Sequence, residues 1–506
     1  MSTLNDLTDY NTPLQPNAVD IRTEYLEPIT SSTYRHTFRL DQTGYLDTNS
    51  MLVFKLQAVG GGNNNTCRVN NWNGALGGIK RVIFQIGDNI INDVQDVYKY
   101  ATMKNMNMNP QMRNNYLGHY LGNQLWLDSV KSATDGPNEF AAEATSNYAT
   151  AYAARVGAVV PNHKRSGTDF GAAADGANST INSHSISTNA DTNHQYGITL
   201  GMLIPALKGQ KIPLFLFDKQ RILLTFEFNT AEKYCNNIKA AKIGYNTGGV
   251  NTALCDAGDV VPTNVRMVVD YIVMPTDVQN ELTQQTMKQG GYKLEFYDVV
   301  NVEKNVVAGT NGQLQEVEHR IGQNNREVHN IFMWKETTSA ALSLNNGNTK
   351  GVPLFGQHQK CQGFGREEYN CNIDGRDEFD HFVYNPISQY NELSAALGSD
   401  YQVSRPMYCN DDNTSCSALT PLGAGLLGVQ KPLALNLRNG EPVVVGGGRQ
   451  IGNYPIIWKW KRDCHNDIVN DNQRDDQSVK VNYFCEVSRV ANIMNTGKGM
   501  NVIVSY

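Results

Sequence analysis

Residues 265–292 read VRMVVDYIVMPTDVQNELTQQTMKQGGY. Val265, Met267, Val269, Tyr271 and Val273 alternate with Arg266, Val268, Asp270 and Ile272, the two-residue period of a half-buried strand. Pro275 has no N–H to give a ladder and ends the strand. Thr276 then predicts a helix N-cap, with Gln279 three residues on as its capping-box partner. Asp277 in the first turn and Lys288 in the last carry the signs the helix dipole favours. Gly290-Gly291 stops the helix, and KLEFYDVV begins a new strand at Lys293. A strand, a short helix and a strand in direct succession predict a hinge between two similar β-domains. The chain reads as a structural building block rather than an enzyme.

Working outward, 506 residues suffice for two or three domains of about 100–200 residues each. Apolar residues make up 40%, and Gly, Asn and aromatics are plentiful while long helical patterns are few, so the expected class is all-β. The formal net charge of −6 excludes a bulk basic field of the kind that wraps nucleic acid. The opening MSTLNDLTDYNTPLQ has no apolar core, so no signal peptide is expected. No apolar run is long enough to span a bilayer. The nine cysteines lack a C-x-x-C or a tight framework, which favours reduced thiols. Sequons at Asn64, Asn178 and Asn413 then read as chance matches in Asn-rich loops.

Residues 1–29 are polar and proline-marked and read as an N-terminal arm. In TYRHTFRL, Tyr34, His36, Phe38 and Leu40 share a face; in MLVFKLQA, Leu52, Phe54, Leu56 and Ala58 do. GIKRVIFQIGDNIINDV predicts a hairpin turning at Gly87-Asp88-Asn89, followed by a helical DVYKYATMKNMNM. Residues 131–195 are rich in Ala, Ser, Thr, Asn and Gly and read as one large loop excursion. Ile222, Leu224, Phe226 and Phe228 then line one face of a strand. Past the hinge the order of events repeats. LEFYDVVNV and EVHNIFMWKE come first, the latter with Val328, Asn330, Phe332 and Trp334 on one face. NIDGRDEFDHFVYNPISQYNELSAAL echoes IGDNIINDVQDVYKY, and SVKVNYFCEVSRV echoes NVRMVVDYIVMP.

The run DYIVMPTDVQNELTQQTMKQGGYKLEFYDV resembles the junction between the two barrels of double jelly-roll major capsid proteins, of the kind found in polinton-like viruses, virophages and large eukaryotic DNA viruses. IGDNIINDVQDVYKY and GQKIPLFLFDKQRILLTFEFN resemble the first barrel of that family. The likeness covers most of the chain from about Tyr34 to Tyr506, and no residue of the excursion at 131–195 carries it. It implies two tandem antiparallel β-sandwich jelly rolls with short helices and long surface loops. The first covers 30–275, a linker helix 276–290, and the second 291–506. It further implies a homotrimeric, pseudo-hexameric capsomer. Such capsomers, with neighbouring capsomers, penton and minor capsid proteins, tile an icosahedral shell around double-stranded DNA. The place of the protein is then the virion. No sequence-specific nucleic-acid binding is implied.

Motifs that suggest chemistry each have a plainer reading. Gly423, Gly425 and Gly428 spell G-x-G-x-x-G, but Pro421 and Pro432 flank it where a dinucleotide site needs a strand and a helix. Gly446-Gly447-Gly448 suggests a phosphate cradle but lacks the G-K-[ST] ending, and a turn between strands is favoured. Asp374, Asp377, Glu378 and Asp380, and Asp467, Asp471, Asp475 and Asp476, hint at Ca²⁺; neither matches the EF-hand spacing, and solvated loops commonly look like this. Cys464-His465 hints at a thiol nucleophile, yet strand neighbours point apart. His163 lies alone in polar sequence. Trp458 and Trp460, alternating with Lys459 and Lys461, could stack bases or sugars, but same-face strand tryptophans are more often sandwich core. No catalytic, cofactor-binding or metal-binding residue is therefore assigned. The alternative reading is a carbohydrate-binding or carbohydrate-active β-sandwich, which needs paired carboxylates in a cleft. A self-associating surface or fibre protein is a further rival, disfavoured by the missing signal peptide and free-looking thiols.

Overall fold

Alternating segments of the first half form eight principal strands in the computed structural model. They are β1 (Asp20–Leu26), β2 (Arg35–Leu40), β3 (Met51–Ala58), β4 (Ile79–Ile86), β5 (Asn89–Gln95), β6 (Gln195–Thr199), β7 (Ile222–Phe228) and β8 (Val260–Val273). Helix α1 (Val97–Met106) follows β5, and α2 (Thr276–Lys288) follows β8. The second half adds β9 (Tyr292–Val306), β10 (Gln313–Ile321), β11 (Glu327–Thr337), β12 (Glu367–Ile373) and β13 (Arg376–Asp377). Helix α3 (Pro386–Leu397) comes next. Then follow β14 (Leu433–Asn436), β15 (Ile456–Cys464), β16 (Val479–Asn495) and β17 (Met500–Ser505). The structure describes residues 20–59, 74–106, 118–121, 194–217, 220–230, 260–288, 290–310, 312–337, 367–398, 432–440, 444–464, 478–495 and 500–505, with two-residue strands at 68–69, 235–236, 238–239, 255–256, 466–467 and 473–474.

The pairings give the same answer twice. In the first half the sheets run β1-β8-β3-β6 and β2-β7-β4-β5, all antiparallel. In the second half they run β9-β16-β11-β14 and β10-β15-β12-β13, again antiparallel. Adding eight to each strand number converts the first pair of sheets into the second. Each half is a jelly roll of two layers packed face to face on a four-plus-four framework, with short edge strands and, in the second half, β17 paired to β16 added to it, and the chain is a double jelly roll.

Alternation builds each core. Phe38, Leu52, Phe54, Leu224, Phe226, Met267 and Val269 fill the first barrel. Ile331, Met333, Tyr369, Cys371, Trp458, Trp460, Tyr483 and Cys485 fill the second. Fully burying one such side chain contributes about 1.5–3 kcal/mol. The hairpin between the fourth and fifth strands is tight in both barrels. Gly87 (φ 59°) opens one turn; Asp374 (φ 52°) and Gly375 (φ 82°) make the other, as two-residue turns require.

Helix α2 bridges the end of β8 and the start of β9. Its Val278 and Leu282 pack with Tyr45, Phe215, Ile272, Met274 and Tyr292. The carbonyl of Pro275 accepts from Gln279 N (3.1 Å), so Thr276 lies inside the first turn instead of capping it. The Gln279 amide donates to Met274 O (2.7 Å), and the expected capping box does not form. Pro275, whose carbonyl accepts the first helical bond, is itself the N-cap residue, and Thr276 falls at the first helical position.

Two further expectations are corrected. The arm read over 1–29 contains β1, which pairs with β8 from Asp20↔Val273 to Leu26↔Met267. The first barrel therefore begins by Asp20, and residues 1–19 lie outside the described residues. Val328 does not share a face with Phe332 and Trp334. A bulge between Val328 and Asn330 turns Val328 into the barrel with Ile331 and Met333, while Phe332 and Trp334 point out of it. The excursion at 131–195 lies outside the described residues except His194 and Gln195.

Candidate functional site at the joint between the barrels

The ribbon β9–β16 is longer than its barrel. It pairs from Tyr292↔Ile493 to Val306↔Val479, whereas β11 accompanies β16 only over Val479–Val487. Leu294, Phe296, Ala491 and Ile493, on the projecting part, complete the core of the first barrel. The outer side of the same ribbon receives α1. Met103 of α1 joins Phe332, Trp334, Leu393, Ala396, Leu397, Ala434 and Phe484 in one buried cluster. Helix α1 thus has its own barrel on one side, through Val97 and Ala101, and the second barrel on the other.

Charge is buried with this apolar contact. Lys104 Nζ donates to Glu486 Oε1 at 2.8 Å, both side chains buried. Tyr100 OH donates to the same oxygen; Asn330 and Arg438 donate to Oε2. The Lys104 ammonium also lies 4.4 Å from the centre of the Phe332 ring. Nearby, Lys99 Nζ donates to Glu303 Oε1 (2.6 Å) and Asn482 Oδ1 (3.2 Å). Farther along, Asp298 accepts from Asn92 (3.0 Å) and Arg489 (2.6 Å), and Asn92 Oδ1 accepts from Ala206 N (3.1 Å). Each of these sets joins side chains from both halves of the chain.

Burial pushes the Glu486 carboxyl up, but the Lys104 charge and the hydrogen bonds from Lys104, Tyr100 and Asn330 outweigh it and bring it down to about 2. Burial lowers Lys104, against the pull of Glu486. Asp298 is raised by burial, with Arg489 opposing. Glu303 is raised by burial and lowered more by Lys480 and Lys99, for a net fall.

The motifs singled out from sequence go elsewhere. Trp458 and Trp460 are fully buried; Trp458 stacks on Tyr369 at 5.1 Å and 3°. They are core, and the surface that base or sugar stacking needs is not theirs. Lys459 pairs with Asp377 (3.0 Å) and Lys461 with Glu316 (3.5 Å). The triglycine turn does bind an anion, but its own: Gly446 N (3.0 Å) and Gly448 N (2.7 Å) donate to the Glu327 carboxylate. The first acidic cluster is dispersed among partners. Asp374 accepts from Gly452 N (3.1 Å), and Glu378 pairs with Arg449, while Asp380 is exposed. Among the described residues no group of three His, Cys, Asp or Glu is placed to hold a metal ion. Cys464 is buried, with Sγ 3.9 Å from Gln315 Oε1. Gly423, Gly425, Gly428, His163, His465, Asp471, Asp475, Asp476 and the three sequons lie outside the described residues. Among the described residues no helix is long and apolar enough to cross a membrane.

The residues that unite the barrels, Lys99, Lys104, Asp298, Glu303, Glu486 and Arg489, were not singled out in the sequence. One signal was available. Phe484 and Glu486 share the strand face opposite Tyr483, Cys485 and Val487. A carboxylate beside an aromatic, on a strand apolar on both faces, requires a buried cation.

A double jelly roll with both barrels locked along one ribbon is the class these observations define. Solved viral capsid proteins share that fold at nearly full length. PBCV-1 VP54, as fitted into a reconstruction of the virophage Sputnik, superposes with TM-score 0.54 at 13% identity, covering 98% of this chain and 99% of that one. The PBCV-1 capsid gives TM-score 0.54 at 12% identity over the same shares. The Sputnik virophage structure gives 0.50 at 10% identity, covering 96% and 88%. No family model matches the chain, and no curated protein sequence does. The resemblance to double jelly-roll major capsid proteins holds at the level of the fold.

Proposed function

We propose that this chain is a viral major capsid protein whose homotrimer forms a pseudo-hexameric capsomer. Such capsomers tile an icosahedral shell that encloses double-stranded DNA. One observation carries the reading: a single eight-strand order occurs twice in one chain. Two like barrels per chain let three chains present six like units, the geometry a hexagonal lattice needs. The barrels are joined by packed apolar residues and buried ion pairs rather than by a bare linker. A rigid pair of barrels suits a tile. Trp458 and Trp460, being fully buried, offer no surface on which a sugar could stack.

On this reading the partners are neighbouring capsomers, penton and minor capsid proteins, the location is the virion, and the role is structural rather than catalytic. Light scattering on the purified chain is expected to give three times 56.1 kDa; a stable monomer sinks the proposal. Residues 1–19 are proposed as the arm that ties capsomers together. Deleting them is expected to impair shell assembly, seen by electron microscopy, while the trimer persists. Loss of the trimer itself counts against that role.

A further inference from the structure

The joint inside the chain uses one half of what each barrel offers. Each barrel has a ribbon made of its first and eighth strands, and a helix after its fifth. Within the chain, the helix of barrel one (α1) docks on the outer face of the ribbon of barrel two (β9–β16). Among the described residues, what remains is the part of the β1–β8 ribbon of barrel one that α2 does not cover and the side of the barrel-two helix (α3) turned away from its own sheet.

Each carries exposed apolar residues, although α2 already covers Ile272 at one end of the ribbon. On the outer face of the β1–β8 ribbon, Ile21, Thr23 and Tyr25 lie opposite Ile272, Asp270 and Val268. Ile21 is 61% exposed and Tyr25 72%. Among the described residues no strand pairs the far edge of β1, and an open apolar edge is a surface that proteins normally cover. Helix α3 buries Leu393, Ala396 and Leu397 against its own sheet. Its other side carries Ile387, 68% exposed, beside the exposed Tyr384 that precedes the helix.

We propose that the β1–β8 ribbon of one copy receives the exposed side of α3 from a second copy, repeating between chains the contact that α1 makes within one. This rests on the capsomer reading and specifies its interface. The contact is head-to-tail, so it closes into a ring only if the rotation per chain allows, and two barrels per chain make three chains the natural closure. Its chemistry differs from the internal joint. α3 (PISQYNELSAAL) has no Lys or Arg, and Asp270 is already held by Thr23 Oγ1 at 2.6 Å. The interface is therefore carried by Ile21, Tyr25 and Ile387, with Tyr25 as an aromatic anchor, and depends weakly on salt.

The full chain bearing Tyr25→Cys and Ile387→Cys together, treated with a bismaleimide, is expected to give covalent dimers and trimers. Either single substitution should stay at the wild-type background. Tyr25→Asp and Ile387→Asp should each weaken the trimer at least tenfold by sedimentation, with the thermal unfolding of the monomer unchanged. A trimer by light scattering that neither cross-links above background nor weakens with Asp overturns the interface and leaves the capsomer reading intact. That result is also expected if another segment of the same chain covers Tyr25. A cross-link confined within one chain likewise overturns it, and a wild-type monomer overturns both.

Discussion

Glu486→Gln is expected to destabilise the chain by about 3–5 kcal/mol, the cost of leaving one partner of a buried pair uncompensated. Lys104 would keep its charge between α1 and the second barrel after losing the Glu486 carboxylate it donates to. The loss falls on the joint, so unfolding is expected to separate into two transitions by calorimetry where the wild type gives one. Adding Lys104→Met should restore much of the loss, because removing both charges also removes both desolvation penalties. A Glu486→Gln protein with the wild-type single transition would sink the assignment. Acid provides a second readout. The Glu486 carboxyl is held at about 2 in the fold against an ordinary 4.5. Its contribution is complete above pH 4.5 and is lost as pH falls from there toward 2, about 3 kcal/mol in all. Asp298, raised by burial, works in the opposite sense and favours the fold as pH falls. The acid loss should therefore be steeper in an Asp298→Asn background.

The barrels were legible where one face of a strand meets the core and the other meets water. His36, Phe38 and Leu40, or Ile222, Leu224, Phe226 and Phe228, alternate in the sequence as they do in the fold. The helix at 276–288 was legible from its proline, charges and glycines. β1 was not, because its pattern is inverted: Ile21 and Tyr25 face outward, while Arg22 and Glu24 lie opposite Tyr271 and Val269. Polar residues on the inward side and apolar ones outside read as an unstructured arm. On the further inference, that inversion marks a strand whose outer face is covered only after assembly. β11 misled for a related reason. It is buried on both faces, so nothing in its composition marks the bulge that exchanges Val328 from one face to the other. Lys104 sits in a helical stretch, YKYATMKNM, that reads as solvated until Glu486 of the other barrel is brought against it.

Gly291→Ala is expected to cost several kcal/mol, and Gly290→Ala far less, although both glycines sit at positive φ (118° and 93°). The two differ in what a methyl group would meet. At Gly290 nothing lies within 4 Å, so only backbone strain remains, about 1–3 kcal/mol. At Gly291 the methyl carbon would stand 2.2 Å from the carbonyl oxygen of Ile493. That oxygen belongs to the backbone of β16, where Ile493 pairs with Tyr292 and its side chain completes the first core. It cannot retreat without opening the ribbon, which adds about 1–3 kcal/mol of overpacking to the strain. Gly291 N also donates to Thr286 O (3.0 Å), the bond that closes α2 and sets the angle at which the chain enters β9. Thermal melts of the two variants compare strain alone with strain plus clash on adjacent residues. If Gly291→Ala melts within a degree or two of Gly290→Ala, the ribbon is not held against the helix end as described. If it melts well below, the glycine pair is what holds the end of α2 against the β9–β16 ribbon.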